Sequence, residues 1–348
     1  MLYKWAVMVA VCLHVLGLIF KKYLSYNIKP SYFYEMALCF YDIANNFLLR
    51  IINIFRLFYY PISAMQKAID HILEAREKRI TDEDVVRQPL PHQNFRFANP
   101  FIVLHHMGPV YIQPGQSSRI HPHPHRGFSP YTIMLQGEGY HRDNAGNDEV
   151  IKAGGVQQMF AGSGILHSEG PTNEMLKQGG TQELIQLWIN SPKANKWDNP
   201  FYQAAIKEQL PSVLQADGLN FRLASGNYEG EIGPIKNFTP VISIIGEIAA
   251  GKTANFTATP GYWTLLYIIH GDVVVNDQAI SAYNLIVFGK ENEDISISAT
   301  IDAQILFLSA EPIEEPVAAK DNFVMNSPEE NEQAISDYKN GLFGSLSF

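Results

Sequence analysis

The stretch "IHPHPHRGFSP" (Ile120–Pro130) puts three histidines, His121, His123 and His125, at alternate positions in a chain that has only 11. In a strand, residues i and i+2 point to the same face, so all three imidazoles could look into one barrel interior. Pro122 and Pro124 cannot donate to a ladder, which fits an edge or mouth strand where the histidines stay accessible. Two neighbouring imidazoles make half a metal site, and "AGSGILHSEGP" (Ala161–Pro171) offers the other half, since His167 and Glu169 repeat the spacing. Two such pairs on facing strands supply nitrogens and one carboxylate oxygen, and they leave positions for water, substrate or dioxygen. This donor set suits iron, with copper, nickel, manganese or zinc as alternatives. Spacing alone leaves open which histidines of the first run bind.

Outward from this run, the chain reads as short alternating or apolar segments punctuated by glycine. "YTIMLQGEGYH" (Tyr131–His141) and "ELIQLWIN" (Glu183–Asn190) have strand character, with turns at Gly137/Gly139 and Asn144–Asn147. A second series follows in "VISIIGEI" (Val241–Ile248), "YWTLLYIIHGDVVVN" (Tyr262–Asn276), "ISISA" (Ile295–Ala299) and "QILFLSA" (Gln304–Ala310). With 348 residues, 25 glycines and 20 prolines, the expectation is an all-β protein of two antiparallel units in tandem. Residues 65–190 form the first domain, 191–212 a linker rich in Pro, Lys and Asn, and 213–348 the second domain with a C-terminal helix. Ser327 caps that helix, Pro328 starts it, Glu330 completes a capping box and Gly341 ends it, with Ala334, Ile335 and Tyr338 as its buried stripe.

Residues 1–64 differ from the rest. "WAVMVAVCLHVLGLIF" (Trp5–Phe20) is a marginal membrane span, and "NNFLLRIINIFRLFYY" (Asn45–Tyr60) sets Asn46, Arg50, Asn53 and Arg56 on one face of a basic amphipathic helix. The extension reads as an apolar helical anchor, giving membrane contact to an otherwise cytoplasmic protein; the competing reading is translated leader, with the functional chain starting near Met65. Both cysteines, Cys12 and Cys39, lie in it, so the body has no thiol chemistry and fits a reducing compartment. Six Lys/Arg and two Asp/Glu in 1–64 leave 20 basic and 33 acidic residues in 65–348, a balance of −13. A body that acidic is not a nucleic-acid binder.

"HPHPHRGF" (His121–Phe128), "QQMFAGSGILHSE" (Gln157–Glu169), "IQLWIN" (Ile185–Asn190) and "EEPVAAKDNFVMNSPEENEQAI" (Glu314–Ile335) resemble the pirins, members of the cupin superfamily. The resemblance covers roughly residues 89–348 and implies a bicupin: two jelly-roll-like barrels, only the first holding metal. It implies His123, His125, His167 and Glu169 as ligands of a mononuclear Fe(2+), with His121 as the extra histidine. It also implies a quercetin 2,3-dioxygenase activity on flavonols and O2, in which Glu169, loosened from the metal, would serve as general base. Other pirins are described as iron-dependent regulators of a transcription factor or of metabolic enzymes, so a protein partner is the competing expectation. The pirin Glu-Thr after Arg-Gly-Phe is Ser129-Pro130 here, which leaves the ligand set intact and puts substrate orientation in question. Tyr131, Met134 and Phe160 lie close to the ligands in sequence and are read as core residues, with lining the pocket as the alternative. His105 and His106 are read as packing or rim residues, and His270 as a turn residue before Gly271.

Overall fold

Alternation of apolar and polar residues becomes strand geometry along almost the whole length that the computed structural model describes, residues 66–80, 85–116 and 119–347. The strands of its first half are β1 (Ile69–Glu74), β2 (Arg76–Arg79), β3 (Val85–Leu90), β4 (Phe101–Ile112), β5 (Ile120–His125), β6 (Phe128–Gln136), β7 (Glu138–Asp143), β8 (Asp148–Lys152), β9 (Val156–Phe160), β10 (Ile165–Pro171), β11 (Gly180–Asn190) and β12 (Phe201–Ala205). A short helix α1 (Asn173–Gln178) joins β10 to β11. The second half carries β13 (Ser212–Ala216), β14 (Leu219–Ser225), β15 (Asn227–Tyr228), β16 (Glu231–Ile232), β17 (Val241–Ile248), β18 (Thr253–Thr257), β19 (Trp263–His270) and β20 (Asp272–Val275). It continues with β21 (Gln278–Ser281), β22 (Asn284–Phe288), β23 (Asp294–Ala299), β24 (Ala303–Ala310), β25 (Ala318–Lys320), β26 (Phe323–Met325) and helix α2 (Pro328–Lys339).

Each barrel is a seven-stranded sheet facing a four-stranded one. In the first the orders are β12-β9-β6-β11-β4-β3-β2 and β5-β10-β7-β8; in the second they are β1-β22-β19-β24-β17-β14-β13 and β18-β23-β20-β21. The orders correspond strand for strand, so the chain builds the same cupin-type barrel twice. Strand alternation then sorts the side chains. Tyr131, Ile133, Ile185 and Leu187 of the first large sheet join Leu265, Tyr267, Leu306 and Leu308 of the second in one buried cluster between the barrels. The opposite faces of the second barrel's strands, with Leu266, Ile268, Ile286, Phe256 and Phe307, fill its interior.

The edges of the two large sheets are exchanged. β1 precedes the first barrel, yet it pairs with β22 of the second, Ile72 opposite Ile286. β12 lies in the segment expected to be a linker, yet it pairs with β9 of the first barrel. Sheet membership therefore crosses the expected domain boundaries at both places. The C-terminal segment crosses back as well: Val324 donates its backbone N–H to Arg126 O, and Arg126 Nη1 donates to Asp337 Oδ2 of α2 at 2.7 Å. Helix α2 has the expected cap, Ser327 accepting from the Glu330 N–H. Its buried positions are Asn331, Ala334 and Asp337, whereas Tyr338 is 40% exposed, because the helix turns a polar stripe toward Arg126 and the Ala318 carbonyl. The expectations for residues 1–64 lie outside the described residues. Among the described residues no helix is long and apolar enough to cross a membrane.

Candidate metal centre

Strand β5 is the edge of the small sheet, where the missing N–H groups of Pro122 and Pro124 leave no ladder bond unmade on the open side. Its inner neighbour β10 runs antiparallel with His167 directly opposite His123. His123 and His125 share one face of β5, so the three rings gather with centroids 4.3, 4.8 and 4.9 Å apart. Each offers a ring nitrogen within 4.8 Å of the other two, and no other such group of His, Cys, Asp or Glu occurs among the described residues.

Hydrogen bonds fix which nitrogen each ring presents. His123 Nδ1 donates to the His121 carbonyl at 2.8 Å, and His125 Nδ1 donates to the Asn322 carbonyl at 3.3 Å. Both therefore keep Nε2 bare, as a metal ligand must. His167 Nδ1 lies 3.5 Å from His141 Nδ1, and His141 Nε2 lies 3.0 Å from Asp143 Oδ2. With the carboxylate accepting from His141 Nε2–H, His141 Nδ1 can accept from His167. Burial pushes Asp143 up, but hydrogen bonds from His141 and Asn147 outweigh it and hold the carboxylate below its usual range. His167 Nε2 is buried with no hydrogen-bond partner. An orphaned buried nitrogen of this kind is costly unless something fills it, and three imidazole nitrogens converging there fit a borderline divalent metal. Burial, and after it the neighbouring imidazoles, hold His125 and His167 well below the ordinary histidine range, so at neutral pH both are in the form that binds metal.

Glu169 stands apart from this trio. A bulge adds a residue to β5 between His123 and Ile120, so that Glu169 lies opposite Ile120. Its two carboxylate oxygens both accept from Gln186 Nε2, at 2.8 and 2.9 Å. Gln186 Oε1 in turn accepts from Trp188 Nε1 at 3.3 Å, and Trp188 packs edge-on to His125. His121 is exposed on β5 and contributes its backbone oxygen to His123. His123, His125 and Glu169 border a cavity of about 680 Å³ inside the first barrel, with Gln186 and Trp188 as further wall residues.

Of the residues read as core, Tyr131 lies in the cluster between the barrels and Phe160 packs on Phe201 and Phe238, while Met134 reaches the cavity wall. His105 lines the cavity too. The reading of His270 as a turn residue is incomplete. Its Nε2 lies 2.8 Å from Glu183 Oε1 of the first barrel, which also meets His106 Nε2 at 2.9 Å, while His106 Nδ1 meets the Tyr267 hydroxyl at 3.0 Å. Hydrogen bonds from the two histidines outweigh burial and bring Glu183 down to about 2. Sequence reading passed over His141, Asp143, Gln157 and Gln186. The one signal it had was a lone polar residue at an inward position of an apolar strand, as in "LIQLW".

Residues 81–189 match the family model described as Pirin, and residues 245–344 match the Pirin C-terminal cupin domain. A Pseudomonas aeruginosa protein named "Putative quercetin 2,3-dioxygenase" is 35% identical over 247 residues, 70% of this chain and 86% of its own length. Pirin-1 of Arabidopsis thaliana is 33% identical over 267 residues, 75% of this chain and 88% of its own. Among solved structures, quercetin 2,3-dioxygenase from Acinetobacter baumannii superposes with a TM-score of 0.77 at 31% identity, covering 81% of this chain and 100% of that one.

Proposed function

This chain belongs to the pirin family, and we propose that it is a metal-dependent dioxygenase of the quercetin 2,3-dioxygenase type, acting on a flavonol-like substrate with O2. The observation that carries the reading is the convergence of three bare Nε2 atoms, two of them on histidines that line a cavity large enough for such a ligand. His123, His125 and His167 would hold the ion, with Glu169 as fourth ligand from the same wall; iron(II) is the ion we favour. Bound there, the ion would supply Lewis acidity toward a ring hydroxyl beside a ketone and a route for electrons to dioxygen.

The rest of the chemistry falls to this chain's own side chains. Glu169 is a carboxylate on the cavity wall that can take the proton of that ring hydroxyl, and Gln186 Nε2 holds both its oxygens in place. The Asp143–His141 pair orients His167 and stabilises the tautomer that leaves Nε2 free. Met134, Leu184 and Trp188 give the cavity dry walls beside the metal.

The test is oxygen consumption by the iron-loaded full chain when quercetin is added, with carbon monoxide measured alongside. His167→Ala should abolish both signals. Flavonol binding without oxygen uptake above that control would replace the dioxygenase with an iron-dependent regulatory protein.

A further inference from the structure

Four polar side chains stand in one row across the large sheet of the first barrel. His105 lies opposite Gln186, Gln186 opposite Thr132, and Thr132 opposite Gln157. All four line the cavity, while the adjacent row contributes Leu184, Met134 and Met107. A polar row inside a barrel gives up apolar burial, so its groups need partners to offset the cost.

Some of those groups are already engaged. Gln186 is held between Trp188 and Glu169, and Gln157 Oε1 accepts from the Tyr202 hydroxyl at 2.8 Å. Others have no such partner among the described residues. Gln157 Nε2 is a donor without an acceptor, and the Thr132 hydroxyl has none of its own. For His105 the tautomer follows from its neighbours. Gln88 Nε2 donates to the Pro91 carbonyl at 3.0 Å, so Gln88 Oε1 is the atom that accepts from Lys78 Nζ at 2.9 Å and faces His105 Nε2 at 2.9 Å. His105 Nε2 must then carry the proton, and Nδ1 is a bare acceptor. Burial, and after it the Lys78 charge, holds His105 down to about 3, so the ring stays neutral at physiological pH.

We propose that this row reads the hydroxyl groups of the substrate, with His105 Nδ1 accepting from a phenolic O–H. The cavity then selects polyhydroxylated planar aromatics over aromatics whose only oxygens are the pair that chelates the metal. The inference rests on the metal-site reading above and adds the specificity element opposite the ligands. A site built to hydrogen-bond a hydroxyl rejects the analogue that lacks it, because its polar group is left unpaired.

The experiment titrates the iron(II)-loaded full chain anaerobically, by absorbance, with 3-hydroxyflavone, which has only the chelating pair, and with quercetin, which adds further ring hydroxyls. Wild type should bind quercetin more tightly. His105→Gln places an amide nitrogen where Nε2 was, keeping the bond to Gln88 but removing the Nδ1 acceptor. It should weaken quercetin about tenfold and leave 3-hydroxyflavone within about twofold. His105→Asn, which can put an oxygen near the Nδ1 position, should recover most of the quercetin affinity. Equal affinity of wild type for the two flavonols, or an equal loss of both in His105→Gln, overturns the inference alone. Binding of neither flavonol by wild type overturns the metal-site reading and this inference with it.

Discussion

Across β4, β11, β6 and β9 the first barrel turns His105, Gln186, Thr132 and Gln157 inward; across the corresponding strands β17, β24, β19 and β22 the second turns Ile244, Phe307, Leu266 and Ile286 inward. The small sheets differ in the same way. Strand β18 stands where β5 does and buries Ala254 and Phe256, and β23 stands where β10 does and buries Ile295 and Ile297. One architecture has therefore been used once for a site and once for a filled core. Each large apolar side chain buried in the second barrel contributes about 1.5–3 kcal/mol. The first barrel forgoes much of that and is held instead by the cluster between the barrels and by the C-terminal segment clamped on Arg126. The difference teaches that barrel geometry does not demand an apolar interior so long as the outer face of the same sheet is buried against a partner.

The largest expected effect tests the site half of this comparison. His167→Ala and His123→Ala should each lose nearly all bound iron by elemental analysis, since two imidazoles remain where three converged. The metal-free fold should persist, because the site lies outside the two main apolar clusters. Loss of the fold in these variants would mean that the first barrel depends on its metal for stability, and the contrast between the barrels would narrow.

The filled half is tested by Phe256→Ala, which empties a fully buried position stacked on Phe307 at 4.6 Å between ring centroids. The expected cost is about 3–5 kcal/mol, read from chemical denaturation. Iron content per folded molecule should stay unchanged, because the three histidines sit in the other barrel. A cost below about 1 kcal/mol would show that the second interior is loosely packed.

A smaller effect separates the barrels by pH. Burial holds His105, His106, His125 and His167 below the ordinary histidine value, and all four belong to the first barrel. Their unfolded pKa is about 6.5, so below that pH the unfolded chain binds more protons than the folded one. Stability is therefore full above about pH 6.5 and falls as pH drops toward the folded values. In the metal-free chain the Tm should decline over that window. The decline should be shallower in a His125→Gln/His167→Gln double variant; an unchanged slope would assign the acid sensitivity to other groups.

Legibility in the sequence followed the range of the interaction that fixed each feature. The histidine trio was readable because its spacing is local and one pairing, His123 with His167, completes it. The two β units were readable from alternation within each strand. The exchange of β1 and β12 was not, since Ile72 pairs with Ile286 more than two hundred residues away and nothing within "AIDHILEAREKR" marks that partner. The Glu183 cluster with His106 and His270 was hidden for the same reason, as a lone histidine beside a glycine has no local sign of a carboxylate from the other barrel. The bulge in β5 between Ile120 and His123 was hidden too, because i, i+2 spacing predicts a shared face only while the register is unbroken.

The smallest expected effect concerns the residue that opens the histidine run. His121 sits one alternation before His123, and spacing alone would let it compete as a ligand. Its side chain lies outside the three-nitrogen group, but its backbone carbonyl accepts from His123 Nδ1 at 2.8 Å and so fixes the tautomer that leaves His123 Nε2 bare. Alanine keeps that carbonyl. His121→Ala should therefore retain iron at the wild-type stoichiometry, with affinity in a competition with a chelator changed by no more than about twofold, far less than the 10- to 100-fold typical when an orienting partner is lost. A site emptied by His121→Ala would shift the ligand register by two residues. In that case Glu169, which pairs beside this end of β5, would have to be regrouped with His121 and His123.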